Sequence, residues 1–294
     1  MAGLPKRLAL WIVPLAFATW TSAAEVDRLL PAKPRGEVEI EVAAGSLRVV
    51  GEDRSDVAVR GTLGAGASGL DTDVDGRWIR LAVAAPRPEV DGAPGPRSDL
   101  EVRVPFGNAV TVKTFSADVA VEGVSGELSL ETASGGVTVD GSPRAATVRT
   151  VSGAVSLDVS SAVVRIDNVS GPVTVAGDIE DLAAEIVDGS LAVSARIRNE
   201  ARLGSVVGDV GFEGTLDPVA RLRVEGSTAD LELALPEHVE VAVEAVGGVL
   251  ESEGGPSFTA ERGERLRREH TFGDGGPIVA VSTFGGRVRL TSAP

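Results

Sequence analysis

The chain has 294 residues, 43% of them hydrophobic but only 3% aromatic, and it contains neither cysteine nor tyrosine. Its formal charge of -15 at pH 7 disfavours electrostatic binding to nucleic acid or to anionic lipid. Zero cysteines exclude a disulfide framework, and two histidines without thiols do not make a zinc site of the usual kinds.

At the start, Lys6 and Arg7 precede an apolar stretch from Leu8 to Trp20, interrupted only by Pro14 and Thr19. Ser22-Ala23-Ala24 supplies small residues at the positions a signal peptidase requires. Residues 1–24 therefore read as a secretory signal cleaved before Glu25, and the apolar stretch Leu8 to Trp20 is too short for the roughly 18 apolar residues of a membrane span. The expectation is an exported protein, periplasmic or at the cell surface or beyond it, with no membrane span after cleavage. A polar lead follows over 25–35, with Pro31 and Pro34.

Alternation then begins. Val38, Ile40 and Val42 oppose Glu37, Glu39 and Glu41, the period-2 pattern of a half-buried strand. Further strands are expected at Val57–Arg60, Trp78–Val83 and Leu100–Val104. Pro86, Pro88, Pro94 and Pro96 mark Ala85–Asp99 as a surface loop. Residues 36–105 form a less regular N-terminal β portion.

From Phe106 onwards a short pattern recurs. An apolar residue is followed, three positions on, by a mostly apolar one, then a small or polar residue, then Gly or Ala, and two further on Val or Leu. The clearest copies are Val148-Arg-Thr-Val151-Ser152-Gly153-Ala-Val155 and Ile166-Asp-Asn-Val169-Ser170-Gly171-Pro-Val173. The pivots are Ala117, Gly126, Gly135, Gly153, Gly171, Gly189, Gly208, Ala229 and Gly248, with outlying copies at Gly45 and Gly286. Their nearly constant step of 18 residues, or two nine-residue units, marks a stacked repeat. Nine residues accommodate a strand of about five and a turn of about four. The fold class expected is all-β: a single-stranded parallel β-solenoid of about 18 residues per coil over 106–252. An antiparallel sandwich or prism with Ser-Gly hairpins is the competing architecture. Ile179–Ile186 has local helix propensity, but it falls in register with the repeat and reads as a strand. A C-terminal β cap is expected over 253–294. It opens with the charged run Glu261–Glu269, a solvated strand or loop, and returns to alternation over Pro277–Leu290.

This set of motifs resembles the family of bacterial exported proteins known as the DUF4097 domain, provisionally described as adhesins. The resemblance rests on Gly36-Glu-Val-Glu-Ile40 with Gly45-Ser-Leu-Arg-Val49, on Ser98-Asp-Leu-Glu-Val-Arg-Val-Pro105, and on the Ser-Gly-x-Val runs from Ser125 to Val175. It extends to Phe272-Gly-Asp-Gly-Gly-Pro-Ile278 and Thr283-Phe-Gly-Gly-Arg-Val288. It implies a β-solenoid-like fold in an envelope or surface setting and carries no catalytic residues with it.

Several motifs could carry chemistry. Gly64-Ala-Gly66-Ala-Ser-Gly69 matches the dinucleotide fingerprint, but acidic residues follow it where a helix N-terminus is needed, so a turn is expected. Gly273-Asp-Gly-Gly-Pro277 lacks the serine of a protease nucleophile loop, and His238 and His270 have no matching context. Asp71, Asp73 and Asp75 alternate like the opening of a calcium loop, but no Glu closes it twelve positions on. Phe115, Phe212 and Phe284 fall at repeat positions read as core, not as a sugar platform. No residue is assigned a catalytic, cofactor-binding or metal-binding role, and no cofactor is implied. The function expected is structural or adhesin-like and non-enzymatic, through extended β faces that bind an unknown protein or glycan at the cell envelope, with no nucleic-acid partner. An envelope scaffold or sensing component that binds another protein is the alternative, and a carbohydrate-active β-helix enzyme a further one.

Overall fold

The computed structural model describes residues 24–84, 96–236, 239–252, 258–272 and 276–292, with the backbone path alone for 258–272. The residues read as a signal, 1–24, lie outside it except for Ala24, as do most of the expected Pro-rich loop, His238 and residues 273–275.

Every regular element among the described residues is a strand. In chain order the first part contains β1 (Ala24–Pro31), β2 (Glu37–Glu52), β3 (Asp56–Leu63), β4 (Gly69–Asp75), β5 (Trp78–Ala84), β6 (Arg97–Pro105) and β7 (Ala109–Glu122). The middle contains β8 (Glu127–Ser134), β9 (Val137–Gly141), β10 (Ala145–Ser152), β11 (Val155–Ser170), β12 (Val173–Asp188) and β13 (Leu191–Val207). Then come β14 (Val210–Glu213), β15 (Thr215–Leu216), β16 (Arg221–Gly226), β17 (Leu231–Leu235), β18 (Val239–Ser252), β19 (Phe258–Phe272), β20 (Ile278–Thr283) and β21 (Arg287–Ser292).

From β7 to β17 each coil pairs in parallel with the next, so the parallel solenoid is the architecture observed and the sandwich is not. Each coil has two strand segments. One row runs Val112, Leu130, Val148, Ile166, Ala184, Leu203 and Val224. The other runs Val119, Val137, Val155, Val173, Leu191, Val210 and Leu231. All of these residues are buried. Because the side-chain period is 2, such columns stack like on like and close a dry aliphatic core between the two rows. Ile179–Ile186 is strand, inside β12. The 19-residue coil between Gly189 and Gly208 has its extra residue in a register shift opposite Ile179–Asp181, a local bulge that leaves the columns aligned.

The pivots form a corner column, and Gly126 stands apart from it: its neighbour is Asn108, at the opposite corner. In the column itself Gly171 has φ 111°. A methyl group placed there would lie 2.5 Å from the carbonyl oxygen of Gly153. At Gly171 the left-handed backbone and the missing side chain together let this coil sit on the one before it. The serine before each glycine has its own task. Ser134, Ser152 and Ser170 donate to the carbonyls of Phe115, Ala133 and Val151 on the preceding coil, at 3.2–3.3 Å.

Neither end follows chain order. β2 pairs with β5 and β6 on one side and β7 on the other, so the first rung lies inside the stack. Likewise β20 and β21 lie between β16 and β17 on one side and β18 on the other. Leu47 therefore continues the core column through Val119, and Val288 continues it between Leu231 and Leu250. The outlying pivots Gly45 and Gly286 are members of the same column as the rest. Antiparallel strands cover both ends: β4 on β5, β3 on β6, β1 on β3, and β19 on β18.

Candidate ligand-binding trough

Along the first row of strands, just before the glycine corner, the usual burial rule reverses. Val148 points in, Arg149 out, Thr150 in and Val151 out. Thr132, Thr150, Asn168, Ser205 and Thr283 occupy the inward position and are buried. They are tolerated because they donate to corner carbonyls that the ladders leave over. Thr132 bonds Ser134 O at 2.7 Å, Asn168 bonds Gly171 O at 3.1 Å, and Thr283 bonds Gly285 O at 2.6 Å. The inward position is polar on most coils and is Ile186 on the Val187 coil; by the period-2 alternation of the strand the next residue of each coil faces out.

That outward residue is apolar on coil after coil. Phe115, Val151, Val169, Val187, Val206 and Phe284 are all between 46% and 68% exposed. The register places them in one ladder, completed by Ala133 between Phe115 and Val151 and by Ser227 between Val206 and Phe284. The expectation that Phe115 and Phe284 pack in the core is corrected here. Of the three, only Phe212 is buried. Phe115 and Phe284 follow an inward Thr114 or Thr283 and take the outward parity. The signal available in the sequence was a polar residue (Thr114, Thr150, Asn168, Ser205 or Thr283) before most of these Val and Phe positions; before Val187 stands Ile186, which carries no such signal.

This ladder forms the apolar side of a long trough of about 1310 Å³. Its other side is a column of charged residues one step back along each strand: Lys113, Glu131, Arg149, Asp167 and Glu185, interrupted by Gly204, then Glu225. Most of these charges have ion-pair partners, inside the column or beside it. Lys113 bonds Glu39 at 2.7 Å, and that contact holds its ammonium above the usual lysine value. Arg149 spans Glu131 at 3.4 Å and Asp167 at 3.3 Å. Arg223 reaches Glu225 at 3.8 Å. The arrangement gives an apolar strip with a nearly neutralised charged margin, suited to holding an elongated partner by contact.

The other sequence candidates lie elsewhere. Gly64, Gly66 and Gly69 belong to the turn between β3 and β4, and the element that follows is a strand. Asp71, Asp73 and Asp75 lie exposed along β4, with Asp73 opposite Arg80. His270 lies on β19 opposite Val241. No helix among the described residues is long and apolar enough to cross a membrane.

The sequence profile of the Toastrack DUF4097 family matches residues 36–251. No curated protein matches the chain. Among solved structures it is similar to a protein provisionally described as an adhesin from Bacteroides fragilis, at 12% identity and a TM-score of 0.44, covering 92% of this chain and 98% of that one. A second, from Parabacteroides distasonis and described in the same way, gives 11% identity and a TM-score of 0.36 over 92% and 98%. A third, from the same organism and provisionally described as a lipid-binding protein, gives 10% identity and a TM-score of 0.38 over 90% and 96%.

Proposed function

The chain belongs to the Toastrack DUF4097 family, and from that premise we propose that it is an exported, non-enzymatic protein of the cell envelope whose solenoid face docks an elongated partner. The observation that carries this reading is the exposed ladder of Val151, Val169, Val187 and Val206 on a rigid β face. A contiguous exposed apolar strip rimmed by polar groups is costly to leave in water and marks an interaction surface. The lining charges support holding over chemistry, since Arg149 is held between two carboxylates. Export to the periplasm or cell surface is supported by the basic, apolar and small-residue order of 1–24.

The test is retention of envelope partners by the purified mature chain, compared with a Val151→Ser/Val187→Ser variant. Both positions are exposed, so the variant should fold as the parent does. Loss of specifically retained material in the variant is the expected result. Equal retention by both would refute the docking role of this face.

A further inference from the structure

One charge in the trough has no counterion. Asp167 and Glu185 face each other on neighbouring coils, and like charges directly opposite repel. Arg149 compensates Asp167, whereas Glu185 makes no ion pair or hydrogen bond with any described residue. The next coil presents Gly204 opposite Glu185, and a methyl group at Gly204 would meet only Glu185 Cγ at 3.7 Å and a carbonyl at 4.0 Å. An open space therefore sits beside an uncompensated carboxylate, and Val169, Val187 and Val206 run alongside it. The chain as a whole carries -15, so its field attracts cations and repels anionic lipid headgroups.

We propose that the centre of this trough binds a polypeptide segment that is both basic and apolar, with a cationic side chain over Gly204 paired to Glu185 and apolar side chains laid on Val169, Val187 and Val206. The proposal rests on the docking reading of the same face. It identifies the partner's chemistry: Lys or Arg alternating with aliphatic residues along the solenoid axis. From Phe115 to Phe284 the ladder rises about 34 Å at ~4.8 Å per coil, the length of roughly ten extended residues.

The experiment titrates the mature chain with a peptide of about ten residues alternating Lys and Val, and with a matched peptide alternating Gln and Val. The Lys/Val peptide should bind about tenfold more tightly than the Gln/Val peptide, and Glu185→Gln should remove most of that difference. Asp158→Lys, a larger charge change at an exposed position on the other strand row, should leave binding within about twofold. Val187→Ser should weaken both peptides. If both peptides bind equally, Glu185→Gln has no effect and Val187→Ser still weakens them, the face docks partners but the basic partner is wrong. The same holds if palmitate binds in a Val187-dependent way and the Lys/Val peptide does not. If Val187→Ser changes nothing, the docking reading fails together with this proposal.

Discussion

Gly286 stacks directly on Ala229, and a methyl group on Gly286 would run into the Ala229 carbonyl. Gly248, much nearer to Ala229 in sequence, stacks on Gly286 instead. The C-terminal rung is thus held between two coils made earlier in the chain. Removing residues 276–294 should strip β18 of its parallel partners and leave the β16–β17 edge open. The expected outcome is loss of amide protection across β18 and a shift to oligomers on size exclusion, because unpaired edges recruit other strands. A monomer with β18 still protected would show that the inserted rung is dispensable.

The corner column makes glycine identity measurable. Gly171→Ala forces a methyl group towards Gly153 O, 2.5 Å away, on a backbone at φ 111°. It should cost about 2–4 kcal/mol in urea unfolding. Gly66, with φ 96° but open space around it, should cost only about 1–2 kcal/mol on the same substitution. Equal costs would mean that close approach between coils contributes nothing.

Two apolar positions of the repeat should respond in opposite ways. Leu157 is 1% exposed, and Leu157→Ala should lose about 2–5 kcal/mol. Val169→Ser lies on the outward ladder and should stay within about 0.5 kcal/mol. Thermal and denaturant unfolding of the two variants check this directly.

Glu122, on β7, links its coil to the first rung, β2. Its carboxylate takes a 2.8 Å contact from Arg48, and that hydrogen bond holds it below the usual value of 4.5. Because the folded value is depressed, the contribution is complete above the ordinary carboxylate range and fades as pH falls through the lower folded value. Carboxyl NMR should show a Glu122 midpoint below 4.5 that moves up in Arg48→Met. An unchanged midpoint would contradict the pairing.

Much of the spine was readable in advance, because a Val or Leu two residues past each pivot has only one way to repeat every coil. Gly45 and Gly286 carried the same motif as the inner copies, yet their place inside the stack was not legible: periodicity reports which residues are alike, not which coil lies against which. The trough was hidden for another reason. Thr150 and Asn168 face in because corner carbonyls need donors, and this pushes Val151 and Val169 outward against the ordinary hydrophobic rule. Glu185 attracted no notice in the sequence, since its isolation depends on Gly204 arriving opposite it one coil later.

The most direct measurement is photo-crosslinking in the native envelope, with a benzophenone side chain placed at Val187 and, separately, at Asp158. A discrete polypeptide adduct at Val187 that is missing at Asp158 is the predicted result. The same adducts at both positions, or none at Val187, would contradict a docking role for the exposed valine ladder.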